Sequence, residues 1–250
     1  MAASPVITRA HPVEHATALM QVAGLSKRYG DQHALTEVTF DVRAREVLGL
    51  IGPNGAGKTT LLETIAGILP ADAGRILWQG APLSQSHRRD AIFYLPDGLR
   101  PWDDQFVTRV VEFFATVYGR PKSRAAEIIR SVGLSPVLDK RVSALSKGYG
   151  RRLMLALALM TPQPVLLMDE PFDGFDLKQT REMMGVLREV AGQGRAPVLA
   201  IHQLSDAERV CDRFVLLADG RVRGVGTLDD LRVRTGKASA GLEEMFLALT

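Results

Sequence analysis

The 250-residue chain is 46% hydrophobic and 24% charged, with a formal net charge of +3 at pH 7. Such proportions fit a soluble globular protein, with length for one α/β domain carrying an inserted subdomain or for two small domains. The single cysteine, Cys211, excludes a disulfide framework and a cysteine-based zinc site and suits a reducing, cytosolic setting. No basic run forms a dense stripe for nucleic acid, and no apolar run reaches the ~18–20 residues that span a bilayer.

The first 20 residues mix Pro5, Arg9, His11, Pro12 and Glu14 without a continuous apolar stretch, so 1–19 reads as a loose tail and not a signal peptide. Residues 20–25 and 35–42 alternate as half-buried strands do. Residues 46–51 form a short apolar run typical of a buried parallel strand. A helix follows from near Lys58 and is closed by Pro70. Short strands are expected at 76–78 and 92–95. From about 100 to 160 the periodicity turns helical, with apolar residues at helical spacing over 106–118 and 125–132 and a helix over 151–159. Strand character returns at 165–168, 198–201 and 214–217, with helices between. The layout predicts an α/β nucleotide core interrupted by a helical insert, without internal repeats.

Between the strand at 46–51 and the next helix lie Gly52, Pro53, Asn54, Gly55, Ala56, Gly57, Lys58, Thr59 and Thr60. They read G-x-x-x-x-G-K-T, the P-loop pattern. Glycines let successive N–H groups point into one concavity that holds phosphate oxygens. Lys58 places a point charge where the β- and γ-phosphates would lie, and the Thr59 hydroxyl can ligate Mg²⁺. The helix N-terminus adds its partial positive charge.

A second station is the apolar strand 165–168 ending in Asp169 and Glu170. An acid at the C-terminal end of such a strand can reach a Mg²⁺ held by the P-loop threonine, which assigns Asp169 to the metal. Glu170 is placed to take a proton from an attacking water.

With these stations in this order, the chain resembles the ATP-binding subunit of an ABC transporter, from about residue 20 to its end. Leu145, Ser146, Lys147, Gly148 and Tyr149 stand at that family's LSGGQ signature. The resemblance implies that Ser146, Lys147, Gly148 and Tyr149 serve the nucleotide of a second subunit paired head to tail. It also implies that Tyr29 stacks on adenine, that Asp176 belongs to the D-loop at the dimer face, and that His202 is the switch histidine near the γ-phosphate. Lys58, Glu170 and His202 are thus the catalytic candidates, and Thr59, Asp169 and Asp97 the metal candidates. The implied fold is a RecA-like P-loop NTPase core with a mixed or parallel sheet flanked by helices (20–97 and 161–250). An antiparallel β subdomain and an inserted helical subdomain (98–160) complete one ABC ATPase domain over 20–250.

The sequence departs from the family pattern at two stations. The glutamine usual after the strand near residue 95 is replaced by Asp97, which is shorter, lacks the amide donor and adds negative charge beside the metal. In the signature, Lys147 replaces the first glycine and brings a positive charge near the partner's phosphate, and Tyr149 stands where glutamine is usual. Ser146 and the backbone donors survive, so ATP binding is expected to survive.

The LSKG-type signature and the ending Gly241, Leu242, Glu243, Glu244, Met245, Phe246 resemble ATPases that serve separate, export-type permeases. The implied function is ATP binding and hydrolysis powering export through integral-membrane permease subunits, with ATP and Mg²⁺ as cofactors. A second copy of the chain, or a paralogue, completes the dimer at the cytoplasmic face of the plasma membrane; no nucleic-acid partner is expected. Phe113, Phe114 and residues near 97–102 are the expected permease contact, with apolar side chains exposed. The sequence leaves two other readings open: a soluble ABC-type ATPase acting on nucleic acid or ribosomes, and a low-turnover ATP-dependent regulator.

Overall fold

The computed structural model describes residues 18–250, so the expected tail at 1–19 lies outside the described residues except for its last two. In chain order the elements are β1 (Ala18–Tyr29), β2 (Gln32–Arg43), β3 (Leu48–Ile51), α1 (Lys58–Ala66), β4 (Ala73–Trp78), β5 (Ala81–Pro82), α2 (Arg88–Ala91) and β6 (Ile92–Leu95). Next come α3 (Val107–Val117), α4 (Lys122–Ser131), α5 (Lys147–Met160), β7 (Val165–Asp169), α6 (Leu177–Gly192) and β8 (Ala196–Ile201). The chain closes with α7 (Leu204–Val210), β9 (Arg213–Ala218), β10 (Arg221–Gly226), α8 (Leu228–Thr235) and α9 (Leu242–Leu249).

Two sheets organise the molecule: a four-stranded sheet in the order β2-β1-β4-β5 and a six-stranded sheet in the order β10-β9-β3-β8-β7-β6. The first is antiparallel throughout. The second is parallel except for β10, which returns antiparallel on β9. A mixed sheet flanked by helices beside an antiparallel sheet is the expected fold class.

Strands β7, β8 and β9 are buried at every position, and their side chains divide by alternation between two apolar clusters. Val165, Leu167, Val198, Ala200, Val215 and Leu217 point toward α1 and the antiparallel sheet. Leu166, Met168, Leu199, Ile201, Phe214 and Leu216 face the opposite cluster, shared with α5, α6 and α7. Period-two alternation of uniformly apolar residues is what covers both faces of a parallel sheet. The second cluster continues into the helices α3 and α4 through Val107, Val110, Val111 and Ile128.

Several boundaries, among them those of β3, β4, α4 and β8, differ from expectation by two or three residues, and three differences are larger. β1 and β2 run 12 residues each, well past the alternating cores of 20–25 and 35–42, because register shifts let polar Lys27 and Arg28 stay paired. α5 starts at Lys147 and not at 151, since Ser146 caps it by accepting from the Tyr149 N–H at 3.3 Å. β10 was not expected from its arginine- and glycine-rich sequence. Between residues 98 and 160 the chain forms helices and no named strand.

Candidate functional site

Strands of a parallel sheet point their C-terminal ends to one edge, and ligands of open α/β sheets bind beyond that edge. Here β3 leads into Gly52, β7 into Glu170, β8 into His202 and β6 into Asp97. A pocket of 600 Å³ opens there. It is lined by Tyr29, Asn54, Gly55, Gly57, Lys58, Thr59, Thr60, Asp97, Asp169 and Glu170, which the sequence had nominated separately.

The loop 52–57 owes its path to glycine. Gly57, the N-cap of α1, has φ 100°, and a Cβ there would lie 2.7 Å from the Ala34 carbonyl oxygen. No side chain caps α1 and its first turn carries no acid, so its leading N–H groups remain available to an anion. Lys58 is only 7% exposed. Its Nζ donates to the carbonyls of Gly52 at 2.7 Å and Pro53 at 3.2 Å, folding the loop around the ammonium. Burial lowers the Lys58 pKa, against the opposing pull of Glu170 and Asp169.

Thr59 Oγ1 donates to Asp169 Oδ2 at 2.6 Å, joining the start of α1 to the end of β7. Burial raises the Asp169 carboxyl pKa, and the Thr59 bond and Lys58 counter it. A hydroxyl and a buried carboxylate at this spacing suit a hard divalent cation that takes its other oxygens from phosphate and water, the habit of Mg²⁺. Among the described residues no cluster of three or more acidic, histidine or cysteine side chains forms a metal cage.

Glu170 has φ 47°, an uncommon conformation for a non-glycine residue. Its N–H donates to Ala200 O at 3.0 Å, and its Oε2 lies 2.7 Å from His202 Nδ1. His202 lines a smaller hollow beside the pocket together with Glu170 and Asp173. Tyr29, half exposed, stands on the pocket's rim with Lys27 Nζ 5.7 Å from its ring centre.

The remaining nominated residues are engaged with other partners. Asp97 lines the pocket, yet its Oδ1 accepts a short bond from Arg151 Nη2. Ser146, Lys147, Gly148 and Tyr149 form the cap and first turn of α5 and do not line the pocket of their own chain. The Lys147 ammonium pairs with Asp173 Oδ2 at 2.8 Å, with its stem laid over Gly174. Tyr149 packs against the helical cluster. Asp176 caps α6 in a reciprocal box, accepting from the Gln179 N–H at 2.8 Å while Gln179 Oε1 accepts from Asp176 N–H at 3.3 Å.

Sequence reasoning missed Gln32, His33 and Ala34 at the start of β2 and Asp219 and Gly220 in the β9–β10 turn, which complete the pocket lining. Asp219-Gly220 between strands is a hairpin signal that could have been read. Its place across the pocket from the P-loop could not.

The family model described as ABC transporter matches residues 35–173. An uncharacterized ABC transporter ATP-binding protein of Methanocaldococcus jannaschii is 31% identical over 216 residues, 85% of this chain and 79% of that protein. The Nod factor export ATP-binding protein I of Ralstonia nicotianae is 35% identical over 213 residues, 82% of this chain and 66% of that protein. A solved structure of an ATP binding subunit of an ABC transporter is similar with TM-score 0.85 and 32% identity, covering 92% of this chain and 99% of that one.

Proposed function

Since this chain belongs to the ABC transporter family as an ATP-binding subunit with ATPase activity, we propose that it powers export through a separate permease, as one half of a head-to-tail ATPase dimer. The observation that carries this reading is the meeting of Lys58, the Thr59–Asp169 pair and Glu170 in one pocket at the carboxyl edge of the sheet. On this reading residues 20–97 and 161–250 act as the core and 98–160 as the helical unit.

ATP enters with its base against Tyr29 and its phosphates in the loop 52–60, where N–H groups, Lys58 and the α1 N-terminus offset their charge. Thr59 and Asp169 would hold Mg²⁺, with Asp97 at the pocket wall as the further candidate. That ion, when bound, supplies positive charge to the β- and γ-phosphates. Glu170 takes a proton from a water as its oxygen bonds to the γ-phosphorus. The bond from that phosphorus to the β–γ bridging oxygen breaks, leaving ADP and inorganic phosphate. His202 orients Glu170 and senses the γ-phosphate. Ser146 and Gly148, remote from their own pocket, serve the ATP of the facing copy, with Asp176 near that face.

Leu99, Trp102 and Phe113 are 51%, 77% and 58% exposed and line an apolar hollow of 930 Å³ between the loop after β6 and α3. Phe114 lines the same hollow beside Phe113, partly buried with its ring packed on the helical cluster. Exposed apolar surface of this kind favours a protein partner, and we assign it to the permease. Among the described residues no helix is long and apolar enough to cross a membrane, so spanning segments would come from that partner. Export is favoured by the signature and ending of the chain and by the Nod factor export relative. Light scattering on Glu170→Gln tests the dimer: ATP with Mg²⁺ should double its mass, and a monomer at saturating ATP would refute head-to-tail pairing.

A further inference from the structure

Four charged side chains of alternating sign form a strip from the nucleotide pocket to the signature. Asp97 and Asp173 follow the neighbouring parallel strands β6 and β7, so both carboxylates stand at the same sheet edge. Lys147 and Arg151, four residues apart and hence on one face of α5, reach toward them. Arg151 Nη2 donates to Asp97 Oδ1 and lies 3.9 Å from Asp173 Oδ2, and its Nε donates to the Asp173 carbonyl at 3.4 Å. Lys147 Nζ closes the strip on Asp173 Oδ2 at 2.8 Å and holds that carboxyl below the usual carboxylate range.

The Arg151 side chain is only 8% exposed, and its charge partners are Asp97 and Asp173. A cation so enclosed is destabilising once a partner is lost. Asp97, half exposed on the pocket wall, therefore does more than add charge beside a metal. We propose that Asp97 is a positioning residue that acts through Arg151, anchoring the start of α5, and with it Ser146, to the wall of the nucleotide pocket. The proposal rests on reading 52–60 and 145–149 as the two kinds of half-site of an ATPase. It gives the aspartate at this position a function that a glutamine amide, carrying no charge, would fill less well opposite an arginine.

Hydrogen exchange on the full chain, free of nucleotide and with chelator present, tests it. The reporters are the amides of residues 150–153, the first that α5 protects, beginning with the Gly150 N–H on Ser146 O. Asp97→Asn should speed their exchange about tenfold, the size expected for one half-exposed charged hydrogen bond. Asp97→Glu should restore slow exchange, and Asp97→Asn should add nothing on an Arg151→Gln background. Unchanged exchange in Asp97→Asn would overturn the proposal, as would additive effects of the two substitutions. So would lowered Mg²⁺-dependent ADP affinity in Asp97→Asn with exchange unaltered, the signature of a metal ligand alone. Should Arg151→Gln fail to fold, the contrast between Asp97→Asn and Asp97→Glu still decides. No nucleotide is present in the exchange measurement, so a failure of the ATPase reading would leave its outcome intact.

Discussion

His202 Nδ1 and Glu170 Oε2 stand 2.7 Å apart, and the backbone beneath them is tied by the Glu170 N–H on Ala200 O. The two residues follow adjacent strands, so the sheet register itself brings carboxylate and imidazole together. Glu170 is held in a left-handed conformation and 20% exposed, fixed from below by its N–H and from the side by histidine. Removing its negative charge while keeping its shape isolates proton transfer. Glu170→Gln should cut phosphate release by about 10²–10⁴-fold, the range for a lost general base, and leave ATP affinity within a few-fold by calorimetry. Hydrolysis at the parent rate would show that the base lies elsewhere.

Lys58 bonds the carbonyls of Gly52 and Pro53 and faces the pocket, so it shapes the loop and is the proposed phosphate contact. Lys58→Ala removes a buried charge opposite Asp169 and Glu170, both of which support its protonated form. Nucleotide affinity measured in chelator should fall by about ten- to a hundredfold, from one lost charge-assisted contact of ~1.5–3 kcal/mol. Unchanged affinity would remove the phosphate assignment from 52–60.

The fold and half the site were legible because they are local. Apolar runs at 46–51, 165–168 and 198–201 announce buried strands, and the glycine loop announces the phosphate cradle between strand and helix. What escaped is either non-local or overruled by context. Lys147, Gly148, Tyr149 and Gly150 include two glycines and read poorly as helix, yet the Ser146 cap and the packed run behind them extend α5 over all four. β10 has the sequence Arg221-Val222-Arg223-Gly224-Val225-Gly226 and becomes a strand only by pairing with β9. Asp97 and Arg151 are 54 positions apart, and no spacing rule joins them.

Acid should loosen the C-terminal helices. Asp230 Oδ2 accepts from the Thr227 N–H and hydroxyl, each at 2.8 Å, and these bonds hold its pKa below the usual carboxylate range. With the folded pKa depressed, this contribution to stability is present above the unfolded pKa and is lost as pH falls through the folded value. Thermal unfolding between pH 5 and about pH 3 should therefore fall more steeply in the parent than in Asp230→Asn, which lacks the titrating group. Thr227→Ala should cost about 1 kcal/mol at neutral pH, a typical N-cap loss.

The apolar hollow gives a prediction that separates docking from catalysis. Trp102 and Phe113 are largely exposed, line the hollow with Leu99, and are absent from the nucleotide pocket. Polar replacements there remove little buried area from the chain itself, so Trp102→Ser with Phe113→Ser should leave melting temperature and ATP affinity close to the parent. Partner binding is different, because exposed aromatic side chains bury most of their surface only on docking and act as anchors there. Co-expressed with the proposed permease, the double variant should no longer sediment with membranes or stimulate ATP-driven export in inverted vesicles, though it still binds nucleotide. Full membrane recovery of the variant would move the permease contact away from this hollow and onto another face of the helical unit.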